Sequence, residues 1–142
     1  MVERTADIVW EGDLASGRGA FTGGSGALNE TPVTFASRVE DPDGKTSPEE
    51  LIASAHATCY AMALSNTLAE GGNAPDRLAV SAVCSFDESA LKITTVDLTV
   101  RGRVSGLDSS GFEDAAKKAE QMCPVSNALR GNVEINVSAA LD

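Results

Sequence analysis

One stretch constrains the fold of this chain more than any other: Ser47 to Gly71, SPEELIASAHATCYAMALSNTLAEG. Ser47 suits an N-cap, Pro48 the first helical position, and Glu50, three residues after the cap, completes a capping box. No Gly or Pro interrupts the run until Gly71 and Gly72 supply a left-handed stop, and good helix formers dominate it. The reading is a helix of about 23 residues, about 34 Å long. Leu51, Ile52, Ala55, Cys59, Met62 and Ala63 make one apolar stripe, while Ala53, Ala57, Ala61, Leu64 and Leu68 cover much of the opposite side. A helix apolar on most faces belongs in the middle of a structure.

The rest of the chain has to cover that helix. With 142 residues and 42% hydrophobic content it is the size of one domain, so residues 1–142 are read as a single unit, with some strands shared with a partner. The formal charge of -10, from 11 Lys+Arg against 21 Asp+Glu, would repel phosphate backbones and anionic lipid, which disfavours nucleic acid and membrane surfaces as partners. The opening MVERTADIVWEGD lacks an apolar core of signal-peptide length, and no stretch reaches the roughly 20 apolar residues of a membrane span. A cytoplasmic setting is expected. It agrees with three cysteines, Cys59, Cys84 and Cys123, an odd number that suits reduced thiols better than a disulfide framework.

Before the helix, Ala6 to Trp10 and Gly19 to Thr22 read as two strands of a hairpin around the polar, Gly-rich Glu11–Gly19, and Val33 to Val39 reads as a third strand after Pro32. After the helix, Leu78, Val80, Ala82, Cys84 and Phe86 alternate on one face of a strand. Leu91 to Val104 forms a longer strand whose parity changes between Ile93 and Val96, the mark of a bulge. Asp108 to Gly111 caps a second helix, Phe112 to Met122, with Phe112, Ala115, Ala116, Ala119 and Met122 inward and Lys117, Lys118 and Glu120 outward. Pro124 starts a short third helix through Leu129, closed by Gly131. Asn132 to Ala140 alternates strictly and is read as a half-buried antiparallel strand. Strands, long helix, strands, helices, strand is an α+β order rather than a βαβ succession.

Cys59 by itself says little, because a free Cys in a buried helix is more often a small hydrophobe than a nucleophile. Cys123 adds to it. It lies at a corner between two helices, ahead of Pro124 and a short helix whose free N–H groups can stabilise a thiolate. Two thiols make a candidate redox pair, although 64 positions of sequence lie between them. His56, one turn before Cys59, shares its face. As the only His it is a secondary candidate for a base, with a packing role the preferred reading. Cys84 alternates with apolar neighbours and is read as structural.

The runs SPEELIASAHATCYAMALS around Cys59 and CPVSNALRG around Cys123, with the opening WEGDLASGRGAFTGGSGALNE, resemble the OsmC/Ohr family of thiol peroxidases, on the OsmC side, from Trp10 to the last strand. The resemblance implies antiparallel sheets wrapped around long central helices in an intertwined homodimer. It also implies a cysteine-based peroxidase for organic hydroperoxides, with inorganic peroxide as a second substrate class, acting in oxidative stress without haem, flavin or metal. Cys59 would be the peroxidatic thiol and Cys123 the resolving one. A disulfide between them would be reopened by an external dithiol, lipoyl groups on proteins being among the family's donors.

A thiolate in an apolar helix needs a cation, because burial alone raises its pKa. Arg38, in FASRVE, matches the arginine that is functional in the OsmC branch, and Arg18, in SGRGA, lies near the segment that supplies it in the other branch; Arg38 is favoured. Glu49 matches the family glutamate that would hold the arginine. Ten helical positions place Glu49 about 15 Å and about 80° of azimuth from Cys59, so if both serve one site, the carboxylate, or the arginine it holds, should come from a second copy. Two other classes compete. One is a metal site built from His56, Cys59, Cys123 and a carboxylate; the other is a non-enzymatic carrier with an apolar pocket between subunits.

Overall fold

In the computed structural model, which describes residues 1–142, the chain forms two compact units, Met1–Leu51 and Ile52–Asp142, with the boundary inside the long helix. In the first unit, Ala6–Glu11 (β1), Arg18–Gly23 (β2) and Thr31–Val33 (β3) make an antiparallel sheet in that order. The expected hairpin is present, in register from Ala6 opposite Gly23 to Glu11 opposite Arg18. Its loop is closed by Asp13, whose Oδ1 accepts from both the N–H and the hydroxyl of Ser16 at 2.7 Å. Pro32 sits on the edge strand β3, where a missing ladder donor is tolerated. Both faces of β1 are open, with Ile8 57% and Val9 66% exposed.

The strand expected over Val33–Val39 is corrected. The strand ends at Val33, and Phe35–Val39 is a short helix (α1). Val33, Phe35 and Val39 have strand propensity, but Thr34 and Ser37 form a reciprocal cap. Thr34 Oγ1 accepts from the Ser37 N–H, and Ser37 Oγ accepts from the Thr34 N–H, each at 3.0 Å. Two satisfied end groups outweigh a weak propensity.

The long helix (α2) runs Pro48–Glu70, as the caps require. Ser47 Oγ accepts from the Glu50 N–H at 3.2 Å, while the Glu50 carboxylate takes the Thr46 hydroxyl instead of closing the box. Gly72, at φ 87°, makes the left-handed stop.

In the second unit, the face of α2 that is buried is not the stripe read from the sequence. His56, Tyr60, Leu64 and Leu68 are buried at four-residue spacing, whereas Ala55 is exposed and Met62 is 69% exposed. Tyr60, Leu64 and Leu68 meet the sheet, while Ala55 and Met62 lie on the bare opposite face. That sheet has the order Arg77–Asp87 (β4), Lys92–Arg103 (β5), Glu134–Leu141 (β6), with Val96, Leu98 and Val100 of the central strand in the core beside Tyr60, Leu64 and Leu68. β4 and β5 are antiparallel. Ser85 faces Thr95 and Phe86 faces Ile93, which leaves Thr94 as the bulge that the parity change called for.

The last strand is parallel to β5, from Thr95 opposite Glu134 to Gly102 opposite Leu141, which corrects the antiparallel reading. Between the two strands the chain spends Ser109–Met122 (α3) and Pro124–Leu129 (α4) on a crossover, and a helical crossover returns the chain in the same direction. One βαβ unit therefore sits inside a chain otherwise ordered as α+β. Alternation in β6 is real, with Ile135, Val137 and Ala139 turned inward, but alternation is blind to strand direction.

α3 starts at Asp108, whose Oδ1 accepts from the Gly111 N–H at 2.8 Å. It buries Phe112, Ala116, Ala119 and, against expectation, Glu120, while Met122 turns outward at 63% exposure. Phe112 lies on Gly102 of β5, where an added methyl would meet the ring at 2.5 Å. Gly102→Ala is accordingly expected to lower stability by about 2 kcal/mol, measured by urea unfolding, since neither the ring nor the strand can give way freely. No helix is long and apolar enough to cross a membrane.

Candidate active site

Cys59 stands in the middle of α2, half-buried, and Cys123 stands fully buried at the junction of α3 and α4. Cys123 ends the first of these helices and caps the second, with φ -78° and ψ 115°. Its Sγ accepts from the Ser126 N–H at 3.5 Å. The Val125 N–H of the same turn lies near enough to the Cys59 thiol to lower its pKa, and the Cys123 thiol lies near enough to raise it. Pro124 has no N–H to offer, so the free amides at the start of α4 are those of Val125 and Ser126, and the second of them meets the Cys123 sulfur. The structure thus brings together the two cysteines that sequence could only nominate, and no disulfide joins any of the three cysteines.

Burial pushes the Cys59 thiol up, and the neighbouring Cys123 adds to that; the Val125 N–H pulls it down. Burial is the larger influence, so the thiol stands above its ordinary value. None of these influences is a cation.

The corner is held at several points. The Tyr60 hydroxyl donates to the Ala116 carbonyl at 2.9 Å, tying α2 to α3. At the far end of α4, Arg130 Nη1 donates to the buried Glu120 carboxylate at 2.9 Å, and Nη2 donates to the Glu120 carbonyl at 3.2 Å and to Asn127 Oδ1 at 3.1 Å. Glu120 is inward because Arg130 meets it there, a partnership across a corner that helix periodicity cannot show. His56, fully buried, has Nε2 at 2.6 Å from Ser126 Oγ, and burial pushes its pKa down, which keeps the ring neutral. Ser126 itself went unremarked in the sequence, although its place three residues after a capping cysteine is a local signal.

In the first unit, Arg38 and Glu49 form a two-pronged pair. Nε donates to Oε1 at 2.9 Å and to Oε2 at 3.1 Å, and Nη2 donates to Oε1 at 2.6 Å. Glu49 is 8% exposed, so this is a largely desolvated, charge-assisted clamp rather than a solvated surface pair. Arg18 is different: it is exposed at the start of β2, opposite Glu11. Cys84 lies on the inward face of β4, packed against the core. No three of the His, Cys, Asp and Glu side chains converge as a metal ion would require, which removes the support for the metal reading of His56, Cys59 and Cys123.

The fold and the paired thiols define a class, an α+β protein with a free dithiol set between the middle of one helix and the junction of two others. The chain belongs to the OsmC family: the model for OsmC-like proteins matches residues 41–138. It is 40% identical over 137 residues to Peroxiredoxin OsmC of Escherichia coli (strain K12), covering 95% of each chain. It is 31% identical over 101 residues to an organic hydroperoxide resistance protein of Xanthomonas axonopodis pv. citri (strain 306), covering 67% of each. The crystal structure of the organic hydroperoxide resistance protein OhrB of Bacillus subtilis matches with a TM-score of 0.72 at 27% identity, over 96% of this chain and 98% of that one. The family resemblance read from the sequence is upheld, and the α+β fold class with it.

Proposed function

We propose that this chain is a thiol-dependent peroxidase that reduces organic hydroperoxides to alcohols in the response to oxidative stress, with inorganic peroxide as a second substrate class. The observation that carries this reading is the pair of thiols, Cys59 and the buried Cys123, brought side by side in the core, each close enough to influence the other. The Cys59 thiolate attacks the terminal peroxide oxygen, the O–O bond breaks, and the alkoxide leaves and takes a proton to give the alcohol. Cys59 becomes a sulfenic acid. The Cys123 sulfur then attacks the Cys59 sulfur, the S–O bond breaks, and water leaves as the disulfide forms. An external dithiol, of free or protein-bound lipoyl type, reopens it and is itself oxidised. The residues of this chain supply the whole peroxide chemistry, and no prosthetic group is called for.

The site works as part of a homodimer in this reading. Cys59 needs a cation to be a thiolate at neutral pH, and the Arg38–Glu49 clamp of a second copy supplies it. Support comes from the bare apolar surface: Ile8 and Val9 on β1 and Met62 on the open face of α2 call for a partner. Arg18 is set aside as an exposed residue at the start of β2. Residues 1–142 act as a single peroxidase domain, since α2 runs through both units. Three cysteines outside any disulfide suit the reducing cytoplasm, and the net charge of -10 keeps nucleic acid and anionic membranes out of the partner set.

Mass spectrometry after one equivalent of tert-butyl hydroperoxide tests the reading. A disulfide between Cys59 and Cys123, and none to Cys84, is the expected product. In Cys123→Ser the same treatment is expected to leave Cys59 one oxygen heavier, with a single peroxide consumed per chain and no recycling by a dithiol. Normal turnover by that variant would remove Cys123 from the mechanism.

A further inference from the structure

Ser126 touches both halves of the dithiol site. Its N–H donates to the Cys123 sulfur, and its Oγ lies 2.6 Å from His56 Nε2, between two residues with no exposed surface. His56 stands three residues before Cys59 on α2, so this bond pins the first turn of α4 to the turn of α2 that carries the nucleophile. Val125, whose N–H lies near the Cys59 thiol, belongs to the same turn of α4. The ring has a second feature. Nδ1 is buried with no hydrogen-bond partner. A buried N–H left without an acceptor is rarer and costlier than a bare acceptor, which assigns the proton to Nε2, donating to Ser126 Oγ. A group that keeps one polar atom unsatisfied in order to make one strong bond is placed for that bond.

We propose that His56 is a positioning residue for the second chemical step: by holding Ser126 it sets the Cys123 sulfur against Cys59 for disulfide closure. This rests on the peroxidase reading. The step itself is Cys59 sulfenic acid plus Cys123 thiol giving the disulfide and water, with Cys123 oxidised, the Cys59 sulfur reduced, and the Cys123 proton leaving in the water. Closure depends on how often the two sulfurs meet in line, and a fixed α4 raises that frequency. The first step draws on the same turn only through the Val125 N–H and does not use the Cys123 sulfur. His56 therefore matters to one step far more than to the other.

The experiment measures both steps on the full-length protein after rapid mixing with tert-butyl hydroperoxide. Sulfenic acid is trapped by dimedone, the disulfide is quenched in acid, and both are read by mass spectrometry. His56→Phe keeps a planar ring, somewhat larger, and removes the bond, and it is expected to lower the ratio of closure rate to sulfenic-acid formation rate about tenfold, the order of one buried hydrogen bond. His56→Gln, whose side-chain amide reaches the place of Nε2, is expected to restore the ratio to within about threefold. Ser126→Ala removes the other partner and is expected to lower it like His56→Phe; it decides alone should His56→Phe fail to melt cooperatively. An unchanged ratio overturns the proposal, whether both rates stay at wild-type values or both fall together as a general loss of packing would make them. Failure of wild-type Cys59 to oxidise at all would sink the peroxidase reading and this proposal with it.

Discussion

Cys59→Ser is expected to lower the rate of tert-butyl hydroperoxide consumption by at least about a thousandfold, to the level of the other thiols in free solution. A hydroxyl in place of the thiol keeps the helix and its packing. It does not attack a peroxide oxygen, because its pKa lies far above neutrality and oxygen is the poorer nucleophile toward oxygen. Cys84 and Cys123 remain in this variant, so the measurement, made by a peroxide-sensitive dye assay in excess dithiol, separates the chemistry of one placed sulfur from that of thiols in general. Residual turnover within tenfold of wild type would remove Cys59 from the role of nucleophile.

The second large effect is at the clamp. Arg38→Met is expected to slow sulfenic-acid formation about a hundredfold, the usual scale for removing a charged donor from a site where charge develops. It leaves the Glu49 carboxylate, 8% exposed, without its guanidinium, so the double variant Arg38→Met/Glu49→Gln serves as the control for a mere loss of stability. The subunits can also be mixed. In an equimolar, re-equilibrated mixture of Cys59→Ser and Arg38→Met chains, half the dimers hold one of each. If the clamp acts across the dimer, one of their two sites has both an intact thiol and an intact arginine, and activity returns to about a quarter of wild type. A clamp acting within its own chain leaves the mixture as inactive as its components. The assay is the same peroxide consumption, read before and after exchange.

How much of this was legible in the sequence differs from feature to feature. The long helix was, because Ser47, Pro48 and Gly72 punctuate it and nothing inside breaks it. Its buried face was not: periodicity shows that an apolar stripe exists, but Ala-rich helices have more than one, and only packing chooses His56, Tyr60, Leu64 and Leu68 over Ala55 and Met62. The bulge at Thr94 was visible as a change of parity. The direction of β6 was not, since a strand that alternates does so beside either kind of neighbour, and the two helices before it hold the information instead. In the site, the residue types and the short capped helix at Pro124 pointed to the dithiol, and the Arg38–Glu49 pair followed the family pattern. The placing of the Val125 and Ser126 amides near the two sulfurs is three-dimensional information, as are the His56–Ser126 bond and the inward turn of Glu120.

The parallel pairing of β5 with β6 also bears on how the molecule is made. β6 can join β5 only after α3 and α4 have been placed across the sheet, so the pairing that encloses Cys123 is the one that closes the largest loop and forms late. On a ribosome adding about 5–20 residues each second, Cys59 emerges several seconds before Cys123, 64 positions downstream. On the proposed mechanism, the nascent chain during that interval carries its nucleophile without the sulfur that would resolve it. Over-oxidation of a growing chain is then limited by the surroundings alone, and protection from within arrives only with the last third of the polypeptide.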